Sequence, residues 1–364
     1  MQNEHNFKEK ARRVCIMNNL KTIDFLAENK ELCKKDLISL IATFDEDDRK
    51  YAAQKAVEVS KNIFDNKIFL RGLIEITNFC NKNCFYCGIR RENQRAERYR
   101  LSVEDIIKCC ELGYKQGLRT FVLQGGEDAF FSDELVVQII RKIKTRFSDC
   151  AVTLSLGEKS KESYKKLFNA GADRYLLRHE SISSSHYKKL HPKEFSIQSR
   201  TRCLYDLKEI GYQTGCGFMV GSPYQTNENI VADLLFIKKF SPAMIGIGPF
   251  IPHKDTPFHS QKAGSAKLTL FLLSLIRLML PDVLLPTTTA LSTLDDYGIE
   301  LGVLSGANVV MPNLTPYKAR KNYLLYDNKK GTTNENDENA ILIIEKLKRI
   351  GYTVPVDRGD YIKR

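Results

Sequence analysis

Apolar, strand-like runs alternate with amphipathic helical patterns along most of the 364-residue chain. Candidate strands begin near Phe69, Thr120, Ala151, Asp173, Thr214, Met244, Val283 and Ala307. The helix after Ser132 is the best marked of those between them. Ser132 is its N-cap, Asp133 and Glu134 follow, and Leu135, Val136, Ile139, Ile140 and Ile143 share one face. Arg141, Lys142, Lys144 and Arg146 close it, where the helix dipole favours cations. β–α units repeating at roughly thirty residues predict an α/β chain folded as a parallel (β/α)8 barrel of the TIM type. An incomplete six-stranded barrel is the alternative.

Residues 1–66 read as an N-terminal helical extension, with an alanine-rich stretch from Tyr51 to Ile63, expected to cap or plug the barrel. The barrel is expected over 67–328. Residues 329–364 form a C-terminal loop and a closing helix near Ile341 to Ile350.

Composition narrows the function classes. The apolar content of 43% supports a sizeable core, and the net charge of +12 permits an acidic partner. No arginine-rich tract concentrates that charge, so no nucleic-acid partner is expected. The most apolar stretch, Leu268 to Leu280, is too short to span a bilayer and carries Arg277, so it reads as a buried helix and no membrane partner is expected. Ten cysteines, with no leader in Met1 to Arg13, suggest a reducing compartment such as the cytoplasm.

Three of the cysteines carry the chemistry. Cys80-Asn-Lys-Asn-Cys84-Phe-Tyr-Cys87 follows the first strand as a CxxxCxxC turn. Three thiolates can hold three corners of a cubane iron–sulfur cluster, leaving its fourth iron open, whereas ferredoxin clusters use four cysteines. A zinc knuckle would need a fourth ligand, and Cys109 and Cys110, adjacent on a helix, cannot both face one metal. A CxxC redox pair would leave Cys80 unexplained.

Polar groups gather where the other strands end, the active face of such a barrel. Gln124-Gly125-Gly126-Glu127-Asp128 offers close backbone approach and a carboxylate for an ammonium group; alone it is an ordinary turn. In Arg174-Tyr175-Leu176-Leu177-Arg178-His179-Glu180, alternation puts Arg174, Leu176, Arg178 and Glu180 on one face. Two arginines and a glutamate in a lumen, at a cost on the order of several kcal/mol each unless compensated, suggest an anionic ligand or a self-contained Arg–Glu pair. Thr153 and Ser155 share a face of the third strand. Gly217 to Gly221 brackets an apolar patch suited to adenine, and Thr287-Thr288-Thr289 follows Pro286 at the seventh strand.

The cysteine turn, with Tyr86 before its last cysteine, and Gly-Gly-Glu one unit later resemble the radical S-adenosylmethionine (SAM) enzymes. Longer stretches resemble their FeFe-hydrogenase maturases of the HydE type: Tyr99 to Ser102, Val122 to Asp128, Val152 to Glu158, Ala172 to Glu180, Gly246 to His253 and Ala307 to Asn313. The resemblance implies a 4Fe-4S cluster on Cys80, Cys84 and Cys87, chelating SAM through its open iron. It gives Gly125, Gly126 and Glu127 to the SAM amino group, Tyr86 and the Met219–Val220 backbone to adenine, Ser155 and Glu180 to the ribose, and Arg200 to the carboxylate. It implies cleavage of SAM to a 5′-deoxyadenosyl radical acting on a cysteine-ligated iron carbonyl cyanide complex, an organometallic precursor of the hydrogenase di-iron centre. Arg174, Arg178, Thr153, Thr288 and Thr289 would grip its anionic groups, with Tyr323 and Tyr326 near the pocket. Implied partners are that small molecule, transient contacts with other maturases, and a reductant such as ferredoxin or flavodoxin. Some members carry a second cysteine cluster near the C-terminus; this chain has no cysteine after Cys216. A methylornithine synthase-like mutase acting on an amino acid is the alternative reading, and a zinc-binding RNA-binding module the alternative from another class.

Overall fold

The computed structural model describes residues 18–332 and 339–362. Cys15, the segment Met1 to Arg13 and residues 333–338 of the C-terminal loop lie outside them. The first strand is nearly continuous, β1 (Phe69–Leu70) and β2 (Gly72–Thr77). β3 (Thr120–Gly125), β4 (Ala151–Ser155), β5 (Arg174–Leu176) and β6 (Gln213–Cys216) follow. A short β7 (Met219–Val220) precedes β8 (Met244–Ile245), and β9 (Gly248–Pro249) and β10 (Val309–Val310) complete the set.

All pairing between these strands is parallel. One ladder runs β2-β3-β4-β5-β6-β8. Single bridges, Met244 to Leu284 and Pro286 to Val309, carry the ring through residues 284–286 to β10. β10 then pairs β1, Phe69 opposite Val309 and Leu70 opposite Val310. The barrel therefore closes on eight positions, as the alternation predicts, and is not the six-stranded form. The run near Val283 contributes bridges and no full strand, since Pro286 has no N–H to give a ladder.

Serine or threonine caps six of the helices that follow the barrel strands. Ser102, Ser132, Ser160, Ser196, Thr226 and Ser265 each accept a hydrogen bond from the backbone N–H three residues on. Each such cap is worth about 1 kcal/mol. The apolar stretch near Leu268 is the helix Ala266–Met279, buried at every residue from Thr269 to Met279. Arg277 survives there because its guanidinium donates to the carbonyls of Gly306, Pro281 and Val283 and to Asn308 Oδ1.

The N-terminal helices Asn19–Asn29, Lys34–Thr43 and Glu46–Phe64 lie on the outer wall. Phe44 stacks on Phe271 at 4.1 Å, and Glu46 pairs with Lys267. They flank the barrel and do not plug it. The plug comes from the other end of the chain, where residues 357–362 sit beneath the strands' N-terminal ends.

Candidate active site

β2 ends at Thr77, and the chain runs to Ser102 without helix or further strand. Asn78 fixes this segment, donating to the carbonyls of Glu97 (2.8 Å) and Asn322 (2.7 Å) and accepting from Tyr99 N–H (2.8 Å). Cys80, Cys84 and Cys87 face a cavity of about 280 Å³ at the strands' C-terminal ends, beside Gln124, Ser155 and Leu176. Among the described residues lining it there is no fourth cysteine and no histidine. Cys109 and Cys110 are buried in the core.

Burial pushes the Cys84 thiol up to about 12, and Cys80 and Cys87 rise for the same reason. Such thiols become thiolates against a cation's charge. Three of them walling a cavity without further ligands fit a cluster with one open iron.

The Gly-Gly-Glu turn forms the adjacent wall. A Cβ on Gly126 would stand 2.1 Å from Phe79 O and 2.7 Å from Cys80 Cβ, so this glycine lets the turn meet the cysteine loop. Glu127 N–H donates to Cys80 Sγ at 3.4 Å. Its carboxylate accepts from Glu158 N–H (3.1 Å) and lies 3.4 Å from Lys82 Nζ. Burial raises the Glu127 carboxyl pKa, against the pull of Arg200 and Lys82. Gly157, at φ +75°, leaves the space that Glu127 fills; a Cβ there would be 2.0 Å from Glu127 Cγ.

Opposite charges alternate around the cavity. Arg200 Nε lies 3.0 Å from Glu158 Oε1, and Arg178 Nη2 lies 3.1 Å from Glu180 Oε2. Burial disfavours the Arg200 charge, yet Glu158 beside it holds the guanidinium pKa well above its ordinary value. Neither ion pair is an aligned hydrogen bond, so Arg178 Nε and Nη2, Arg200 Nε and Glu180 Oε2 stay unsatisfied among the described residues. Glu180 has φ +62°, a sparsely populated conformation for a residue with a side chain. It is clamped from behind: Glu180 N–H donates to Gly217 O (3.1 Å), and His179, wholly buried, lies 3.3 Å from Asp233.

Tyr86 forms the apolar end with Phe85, Leu190, Met219, Phe250 and Phe258. Its hydroxyl meets His191 Nε2 at 3.2 Å, and His191 stacks on Tyr187. Nothing in the sequence pattern marks His191, a lone histidine after a short helix. Met219 lines the cavity, but its carbonyl already accepts from Gln225 Nε2 at 2.8 Å. Tyr323 and Tyr326 line the side facing the cysteines.

Fourteen of the expected residues thus share one cavity, and five do not. Val220 is buried next to Met219. Thr153 is buried and Thr288 half-buried, both with hydroxyls unsatisfied among the described residues, and Thr289 opens the helix Thr289–Leu294. Arg174 is the larger correction. Alternation places Arg174 and Arg178 inward alike, but four residues along a strand span roughly 13 Å. Arg174 therefore lies at the far end of the barrel, wholly buried, donating to Thr120 Oγ1 (2.9 Å), Arg358 O (2.9 Å) and Asp360 Oδ1 (2.5 Å).

Residues 74–237 match the radical SAM superfamily. The [FeFe] hydrogenase maturase subunit HydE of Thermotoga maritima is 43% identical over 302 residues, 83% of this chain and 86% of that protein. The chain belongs to the HydE family. It is thus a radical SAM enzyme of FeFe-hydrogenase maturation, with a 4Fe-4S cluster and SAM as cofactors. HydE-family membership displaces the zinc-binding RNA module. Similarity extends to 3-methylornithine synthase of Methanosarcina acetivorans, 25% identical over 90% of this chain and 91% of that protein. The crystal structure of methylornithine synthase (PylB) superposes with a TM-score of 0.79 at 23% identity, over 92% of this chain and 97% of that one, and shows the shared fold. No helix among the described residues is long and apolar enough to cross a membrane.

Proposed function

We propose that this enzyme cleaves SAM at the cavity walled by Cys80, Cys84 and Cys87 and acts on an anionic, cysteine-ligated iron carbonyl cyanide complex. The relative in Thermotoga maritima is a hydrogenase maturase subunit. The observation that carries the substrate reading is the unsatisfied donor set inside the barrel. At the cavity, Arg178 Nε has no hydrogen-bond partner among the described residues and Nη2 faces only the misaligned Glu180 carboxylate, and leaving such groups unmade costs about 1–3 kcal/mol each. An anionic acceptor in the cavity would satisfy these two nitrogens together.

When bound, the cluster supplies the electron that reductive cleavage of SAM requires. The chain's own residues bind and orient. Glu127 offers an acceptor to the SAM ammonium group, and Arg200 a cation to its carboxylate. Ser155 and Glu180 would hold the ribose hydroxyls. Tyr86 and Met219, packed with Phe250, exclude water from the adenine side. Tyr323, Tyr326 and Leu325 cover the cavity beside Cys87, where Gly88 N–H donates to Leu325 O at 2.8 Å.

The deciding experiment incubates anaerobically reconstituted enzyme and SAM with the iron carbonyl cyanide complex, and separately with lysine. Consumption of the complex supports the proposal. Conversion of lysine, with the complex untouched, would establish the mutase reading instead. Transient contact with other maturases and reduction by a ferredoxin or flavodoxin belong to the same proposal, and cross-linking in a maturation mixture tests the first.

A further inference from the structure

Arg98 belongs to no part of the site described above, yet it ties together the segment that carries the cysteines. Its Nη1 donates to the carbonyls of Asn78 and Ile89 (the latter at 2.9 Å), and its Nη2 to those of Arg90 (2.7 Å) and Asn93 (3.1 Å). Asn78 stands two residues before Cys80 and Ile89 two residues after Cys87, so one guanidinium clips both ends of the turn. Several other cations nearby are matched by an acid: Lys82 by Glu127, Arg90 by Glu92, Arg100 by Asp128, Arg200 by Glu158. No carboxylate among the described residues pairs with Arg98. Its partners are neutral carbonyls, which leave its charge uncompensated between the two ends of the cysteine turn.

We propose that Arg98 tunes the reduction potential of the cluster on Cys80, Cys84 and Cys87, its fixed positive charge favouring the reduced state. This rests on those cysteines holding the cluster. One-electron reduction adds a negative charge, and a cation held close by in a poorly solvated setting stabilises it. Arg98 is a positioning residue as well, through the clip, and the two roles separate experimentally. Lysine keeps the charge without the four-way clip, and glutamine keeps donors without the charge.

The test is an electron-paramagnetic-resonance redox titration of full-length, reconstituted protein as wild type, Arg98→Lys and Arg98→Gln. The expected result is a roughly tenfold fall in the reduced-to-oxidised ratio at fixed poise for Arg98→Gln, ~59 mV for one electron, with Arg98→Lys close to wild type. An Arg98→Gln protein with full iron and the wild-type midpoint would overturn the proposal, as would an Arg98→Lys shift as large as that of Arg98→Gln. Should Arg98→Gln fail to take up iron, Arg98→Met is titrated in its place: a tenfold fall supports the role of charge, and a wild-type midpoint refutes it. A wild type that binds no iron would instead overturn the cluster assignment itself.

Discussion

Arg174 Nη2 donates to Asp360 Oδ1 at 2.5 Å, joining β5 to the end of the described chain. Around this pair the tail is held by Arg71 (to Gly359 O, 3.2 Å), Thr120 (to Arg358 O, 2.8 Å) and Gln213 (to Asp360 Oδ1, 3.0 Å). Burial disfavours the Asp360 charge, but Arg174 beside it brings its carboxyl pKa below the ordinary value. Removing one partner of a buried pair costs on the order of 3–5 kcal/mol. Asp360 is 33% exposed and keeps Arg358 at 2.8 Å, so Arg174→Ala should lower stability to denaturant by less than that, while the protein that remains folded still cleaves SAM. Normal stability with lost substrate turnover would return Arg174 to the substrate site.

Cys84→Ala should abolish cluster binding and SAM cleavage together. Iron analysis and anaerobic SAM-cleavage assays check this, and retention of a full cluster would remove the three-thiol assignment.

Arg178 is 30% exposed by side chain, facing the cavity with two unsatisfied nitrogens. A hydrogen bond to a charged group is worth about 1.5–3 kcal/mol. Arg178→Ala should thus leave cluster content and uncoupled SAM cleavage intact and cut use of the organometallic substrate roughly tenfold to a hundredfold. Unchanged maturation activity in that variant would contradict the anion pocket.

Lys329 Nζ and Glu75 Oε1 form a buried ion pair at 2.7 Å, with the ammonium 5.3 Å from the centre of the Tyr323 ring. This pair pins the segment that carries Tyr323 and Tyr326 to the strand leading into the cysteines. Lys329→Met alone should cost about 3–5 kcal/mol, because it strands a buried carboxylate, and Lys329→Met with Glu75→Gln should recover much of the loss. Chemical unfolding of both variants measures it; equal losses would refute the coupling.

His191 gives the site a pH dependence. Burial drives its pKa down from the usual 6.5 to about 3, and the charges of Arg200 and Lys82 add to the effect. A depressed folded-state value means the folded state prefers neutral imidazole. The stability it contributes is complete above the unfolded value, about 6.5. It is lost as pH falls toward 3, at up to ~1.4 kcal/mol per pH unit. Unfolding free energies measured between pH 7 and pH 4 should fall more steeply for wild type than for His191→Phe. Identical slopes would locate the acid sensitivity elsewhere.

The barrel and the turn that brings three cysteines to one cavity were legible because both are written locally. Strand and helix periods declare themselves within ten residues, and CxxxCxxC and Gly-Gly-Glu each occupy one turn. Arg178 was reachable too, through alternation along β5. Depth along the barrel was not: alternation gives a face and says nothing about which end of the lumen a residue reaches, so Arg174 was misplaced. His191, Asp360 and Lys329 act on partners 105, 186 and 254 positions away, and no local pattern encodes such pairs. Arg98 acts close by, but through main-chain carbonyls, which leave no trace in residue identity.

The closure of β1 against β10 has a consequence for the newly made chain. Roughly 240 residues separate Phe69 from Val309, and at about 5–20 residues per second their synthesis takes on the order of 12–50 s. Through that interval the thiols of Cys80, Cys84 and Cys87 are already outside the ribosome, while the far wall of their cavity does not yet exist. The cavity around the three cysteines is therefore complete only once the chain has been made as far as Tyr326, which also lines it.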